Sequence, residues 1–469
     1  MKALLGAVLA AVISVGAGAP QSAPAKRCFV DLLNVDRKAR IDQMFNSPNN
    51  VMYDAAGHVR MQCRGQKVFL ETDSISSLSG QYLRLYGHSA YRDTAYSLTA
   101  DTIYYDLRLE KLEARGNVVA TDKIAGSTLN GPYLDYWREV KGVNDSAIVW
   151  ALKRPTVRFF NAPSARDTGK RSPYIMVGDN LKGFGQSRMT ASGKVTIDRD
   201  SLHGEGDSLF YDKGPTSIAR LLGGPALLRR RGSDSFVVFG KTIRVRSEND
   251  TVRDLRSFLD ARVVRGTTDI AGDTIHLAFS ASKLGLTLAW NRKSGATLHS
   301  GGYDIVGDSL AVDTPGEQLR EIRIFRNGVL QNPLDTLVAA VPRVKGDTTP
   351  ADTTRNRLSG ERIVAHFDQV DSSGVRVTRV RSLQAIGRTP NQASSLFGRN
   401  EVGKDGKRSP SINYTLADTI FVRMKDGDSI GVASVEARGH VYGVQLETAS
   451  VPKLKIDTLK AGLPAKGRP

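Results

Sequence analysis

Five aspartates recur in similar surroundings along this 469-residue chain: Asp101, Asp207, Asp273, Asp308 and Asp418. Acidic residues in series suit two kinds of chemistry, calcium ligation and carboxylate attack on a glycan. Carboxylates that act on a substrate belong to one unique site, whereas these return once per sequence unit, as turn residues do. No Asp-x-Asp-x-Asp-Gly calcium loop occurs. The seven histidines (His58, His88, His203, His276, His299, His366, His440) are scattered without metal-ligand spacing. No Gly-x-x-x-x-Gly-Lys-Ser/Thr loop offers a phosphate cradle, so no energy source is visible. The basic run Arg229-Arg230-Arg231 and the segment around Lys404, Lys407 and Arg408 read either as phosphate contacts or as solvated faces. These residues point to a non-catalytic protein with no cofactor and no metal.

The elements that must carry these residues are short strands. Val, Ile, Leu, Tyr and Thr alternate with polar residues between Gly, Asp and Asn, the pattern of an all-β chain. One pattern repeats. It reads Ala100-Asp101-Thr102-Ile103-Tyr104-Tyr105, Gly206-Asp207-Ser208-Leu209-Phe210-Tyr211, Gly272-Asp273-Thr274-Ile275-His276-Leu277, Gly307-Asp308-Ser309-Leu310-Ala311-Val312 and Ala417-Asp418-Thr419-Ile420-Phe421-Val422. Residues two apart share a strand face, so Ile103 with Tyr105, Leu209 with Tyr211, and Ile420 with Val422 line one side. The small residue and Asp ahead of them suit a tight turn. A second element, Ala114-Arg115-Gly116-Asn117-Val118, returns as Ala191-Ser192-Gly193-Lys194-Val195 and Ala437-Arg438-Gly439-His440-Val441. Together they predict units of strand, turn, short strand, Gly turn and strand, stacked so that one apolar face is buried continuously.

Residues 1–25 read as a secretory signal peptide: a basic start at Met1-Lys2, an apolar run over Ala3–Ala19, and small residues at Ala23-Pro24-Ala25. An uncleaved anchor is the alternative. Outside the cytoplasm, Cys28 and Cys63 suit one disulfide tying down the first strands; two buried free thiols are the other reading. The net charge of +18 would suggest nucleic acid in a cytoplasmic protein, but an exported one meets phosphorylated lipids and acidic glycans instead. Breaks are expected in polar stretches at 161–173 and 343–357, and a long loop at 392–413. The expected divisions are a first β unit at 26–160, a second at 174–342, a linker at 343–357, a third, partial unit at 358–456 and a basic tail at 457–469.

The run from Leu98 to Val143 carries a resemblance. Its Ala100-Asp101-x-Ile103-x-Tyr105-Asp106, then Ala114-x-Gly116-Asn117-Val118, then Gly126 and Leu134-Asp135-Tyr136 resemble the OstA-like family of lipopolysaccharide transport, which includes LptA, LptC and the periplasmic part of LptD. The pattern returns through 191–313 and at 417–442. The resemblance implies tandem β-jellyroll (β-taco) units whose two sheets leave an apolar groove for acyl chains. It implies a location in the periplasm, in association with the outer membrane. The expected partners are lipopolysaccharide or a related anionic glycolipid, transport proteins joined through edge strands, and further copies of the chain joined head to tail, with no nucleic acid. The groove candidates are Ile103, Tyr105, Val118, Leu134, Tyr136, Leu209, Tyr211, Ile275, Leu310, Ile420 and Val422. The other reading is a structural or adhesive β-repeat protein of the cell envelope, in which these side chains fill a dry interior. The chain departs from the family in lacking a C-terminal series of amphipathic barrel strands, which favours a soluble bridge or companion over a translocon.

Overall fold

A computed structural model of the chain describes residues 28–36, 40–43, 51–160, 172–185, 187–213, 216–232, 235–248, 251–280, 283–333, 355–372, 375–402, 408–425 and 432–447. The signal-peptide and basic-tail readings lie outside them. Among the described residues the protein is all-β and antiparallel, with one short 3-10 turn at Pro315–Glu317 and no α-helix. It forms two compact units, residues 1–199 and 200–469. Strands Tyr174–Val177, Asn180–Phe184 and Arg188–Arg199 thus belong to the first unit.

The first unit is a succession of long neighbours: Val51–Cys63, Phe69–Leu78, Tyr82–Arg92, Tyr96–Asp106, Lys111–Asp122 and Thr128–Trp137. Every neighbouring pair loses register at mid-length, for example between Ala56 and Val59, between Tyr86 and Ser89, and between Arg115 and Val118. At these positions the chain turns left-handed for two residues, as at Gly116 (φ 74°) and Asn117 (φ 44°). A bulge of this kind bends a strand sharply. Each strand is thereby split into two segments, and like segments stack into two half-sheets. The A half contains 74–78, 82–86, 102–106, 111–115 and 133–137; the B half contains 69–71, 89–92, 97–99 and 118–121. The two halves separate fully after Trp137. Ile148–Leu152 then extends the A half and Thr156–Phe159 the B half.

The bends correct the expectation that Gly116-Asn117 is a turn between strands. It is a corner inside one strand, Lys111–Asp122. Asp101, Asp207 and Asp273 are corrected with it, since each lies inside a strand, whereas Asp308 and Asp418 stand between two strands, as turn residues do. Asp101 sits in mid-strand and accepts hydrogen bonds from Asn117 Nδ2 at 3.0 and 3.1 Å, across from the corner of the next strand. Asp73 takes His88 Nδ1 at 2.8 Å, Asp36 takes His58 at 2.7 Å, and Asp418 takes His440 at 3.0 Å. Asp308 takes Asn327 Nδ2 at 3.3 Å. The physical reason is steric: an added Cβ on Gly116 would run into the Asp101 carboxylate, so corner and carboxylate fit only with glycine between them.

The second unit repeats the plan with strands such as Thr216–Arg230, Phe236–Glu248, Thr251–Arg265 and Thr268–Ser280. Their pairing slips at Leu222/Ala226, Phe239/Thr242 and Phe258/Ala261. Later strands break outright at the corner, as between Lys283–Trp290 and Ala296–Ser300. Glu321–Pro333 pairs directly with Arg355–Ser372, so the segment read as a linker connects neighbours within one unit; residues 334–354 lie outside the described ones. The stretch 392–413, read as a loop, holds the paired strands Ala393–Val402 and Arg408–Ala417. Small residues buried at Ala393, Ser395 and Ser411 explain that misreading, because they carry little hydropathy yet pack inward.

Candidate functional site

The interior of each unit lies between its A and B halves, and the two units use it differently. In the first, aromatic rings from both halves meet. Tyr91 of the B half is edge-on to Tyr105 (6.2 Å between centroids) and to Tyr136 (6.0 Å) of the A half. The candidates Ile103, Tyr105, Val118, Leu134 and Tyr136 are all buried here. One end of this interior is closed by polar groups. Glu110, fully buried, accepts hydrogen bonds from the Tyr105 hydroxyl (2.6 Å), the Cys28 amide (2.8 Å) and Arg138 Nε (3.1 Å). Burial, followed by the Glu110 charge, pushes the Tyr105 phenol well above its usual range. Cys28 is bonded to Cys63, which fixes the strand Val30–Asn34 beside Val51–Cys63.

In the second unit a cavity of about 780 Å³ is lined from both halves. The A half lines it with Leu277, Val312 and Ile322, and the B half with Ile270, Leu298 and Leu330. The mouth lies at the strand tips, among Thr268, Ser300, Tyr303 and Gln318, with Arg265 and Arg379 beside it. A volume of this size falls within the range of about 300–1,000 Å³ that encloses one small-molecule ligand. An apolar floor with a polar mouth suits an amphipathic molecule whose tail enters first.

The candidates Ile275 and Leu310 share the inward face with this lining but sit next to the corner, where both are buried in packed core. The residues two further along the same strands, Leu277 and Val312, line the cavity. Period-two alternation therefore marks the correct face, while distance from the bend decides which residue meets open space. Leu209, Ile420 and Val422 are buried and Tyr211 is half-buried, and none of the four borders the cavity. The bend itself is the signal that would have found Leu277 and Val312. Arg229 and Arg231 are exposed, and Lys404 and Lys407 lie outside the described residues.

The spacing Gly427-x-Ser429-x-Gly431 matches that of a hydrolase nucleophile elbow, which sits on a strand-to-helix turn. It falls outside the described residues, and the strands flanking it, Thr419–Met424 and Val432–Arg438, pair antiparallel with each other, the context of a hairpin. No protein-family model matches the chain, and no curated protein matches it.

Proposed function

We propose that this protein is a non-catalytic lipid carrier of the bacterial periplasm that shields acyl chains of lipopolysaccharide, or of a related anionic glycolipid, on the way to the outer membrane. The observation that carries the reading is the apolar cavity between the half-sheets of the second unit. Its mechanism is solvation: each methylene moved from water to an apolar lining gains about 0.8 kcal/mol. Phosphates or sugars stay at the polar mouth. In this reading the bent, paired half-sheets are β-jellyroll units of the β-taco kind, residues 1–25 are a signal peptide, and the motifs around Asp101 and Gly116-Asn117 reflect kinship with the OstA-like family. Open edges support end-to-end joining to other transport proteins or to further copies. Among the described residues Tyr442–Glu447 pairs on one side only, with Arg408–Ala417, and a free edge is a template for strand addition.

The packed core of the first unit, where Tyr91 meets Tyr105 and Tyr136, favours a second reading, a structural β-repeat protein of the envelope. Titration of the purified chain with labelled lipopolysaccharide separates the two. The carrier reading expects saturable binding that Val312→Trp weakens at least tenfold by filling the cavity, with the fold retained. Absence of binding, or equal binding by Val312→Trp, favours the structural reading.

A further inference from the structure

The A half of the second unit carries, on the face turned away from the cavity, a charge arrangement that works against folding. Strand register sets Arg220 opposite Arg244, Arg244 opposite Arg256, and Arg256 opposite His276. Their sequence neighbours Leu221, Ile243, Leu255 and Ile275 are buried, so these four side chains project from the opposite face. Like charges placed directly across an antiparallel pair are destabilising. Two residues along the same strand pair opposite charges do face each other, Arg246 and Asp254 at 3.8 Å.

The row is relieved at one end only, where Asp254 lies 3.5 Å from Arg256 and 3.8 Å from His276. Among the described residues Arg220 and Arg244 have no ion pair, and Arg244 Nε is buried without a hydrogen-bond partner. Burial and then the Arg256 charge lower the His276 pKa, against the opposing charge of Asp254.

We propose that Arg220, Arg244 and Arg256 form an anion-binding row for the successive phosphates of a linear phosphate-bearing polymer. One cation per strand gives a straight line of charges about 4.8 Å apart, which an extended polyanion can follow. Neighbouring guanidinium forks share one phosphate well, because it offers three acceptor oxygens and up to two charges; a carboxylate offers two oxygens and one charge. Single-stranded nucleic acid would need rings interleaved with the cations. Here Phe210 stands at the end of the row, opposite Arg220, and Phe258 lies two residues along the strand from Arg256 on the same face, so no ring stands between two successive arginines. The row lies on the outer face and is independent of what fills the cavity.

Inorganic polyphosphate titrated into the full chain tests this, alongside thermal unfolding without ligand. We expect salt-dependent binding, at least tenfold weaker for Arg244→Gln, and an unliganded Arg244→Gln that melts at or above the wild type because a repulsion is gone. If Arg244→Gln fails to fold, Arg220→Gln at the exposed end makes the same comparison. Unchanged affinity in the variant that folds overturns the proposal, as does tighter binding of oligothymidylate or polygalacturonate than of polyphosphate at equal charge.

Discussion

Asp101 illustrates how one side chain sets the shape of this protein. Its carboxylate fills the concave side of the neighbouring strand's corner and holds Asn117 in a backbone region that residues other than glycine seldom adopt. Gly116→Ala is expected to cost about 1–3 kcal/mol, from left-handed backbone strain and collision with that carboxylate. Urea unfolding of the single variants and of the double variant Asp101→Ala/Gly116→Ala checks this. Relief of the collision makes the double variant more stable than the sum of the two losses. The His corners add a pH dependence. The hydrogen bond that His88 donates to Asp73, and next the Asp73 charge, raise the His88 pKa, so this contribution is complete below the unfolded value of 6.5 and fades as pH rises through the folded one. The hydrogen bond from His440, and next a backbone bond from Asn391, lower the Asp418 pKa; that contribution is complete above 3.8 and fades as pH falls through the folded value. Both operate together between 3.8 and 6.5. NMR titration is expected to find the His88 pKa above the ordinary value in the wild type and back near it in Asp73→Asn.

At the scale of elements, the bent strand is the unit of construction. The N-terminal closure of the first unit rests on two devices, the disulfide and the buried Glu110 cluster. Glu110→Ala leaves Arg138 charged and unpaired in the interior, at an expected cost of about 3–5 kcal/mol to the first unit. Loss of the Cys28–Cys63 bridge in the double serine variant is expected to cost about 2–4 kcal/mol, since the bond closes a loop of sequence separation 35. Thermal unfolding under oxidising and reducing conditions checks both. Much of this element structure was legible in the sequence. The alternation of Ile103 with Tyr105 located a strand and its inward face, because burial on one side imposes a period of two. The corners were not legible. Gly116-Asn117 serves equally in a hairpin turn and in a mid-strand bend, and only the partner strand running past it decides which. The Ser-rich strand Ala393–Val402 escaped because its buried face is built from small side chains. The row of Arg220, Arg244 and Arg256 was hidden for the same non-local reason: each residue adjoins an inward aliphatic, but register alone aligns them.

For each unit as a whole, the consequential quantity is the gap between half-sheets, and no local pattern encodes it. In the first unit Tyr91, Tyr105 and Tyr136 close that gap; in the second, shorter aliphatics leave it open. Site-specific photo-crosslinking at Tyr303 and Leu319, both lining the cavity, with exposed Tyr86 of the first unit as control, tests the carrier account most directly. The account expects lipopolysaccharide adducts from the two cavity positions and none from the control. Adducts absent from the two cavity positions, or equally abundant at Tyr86, would contradict it.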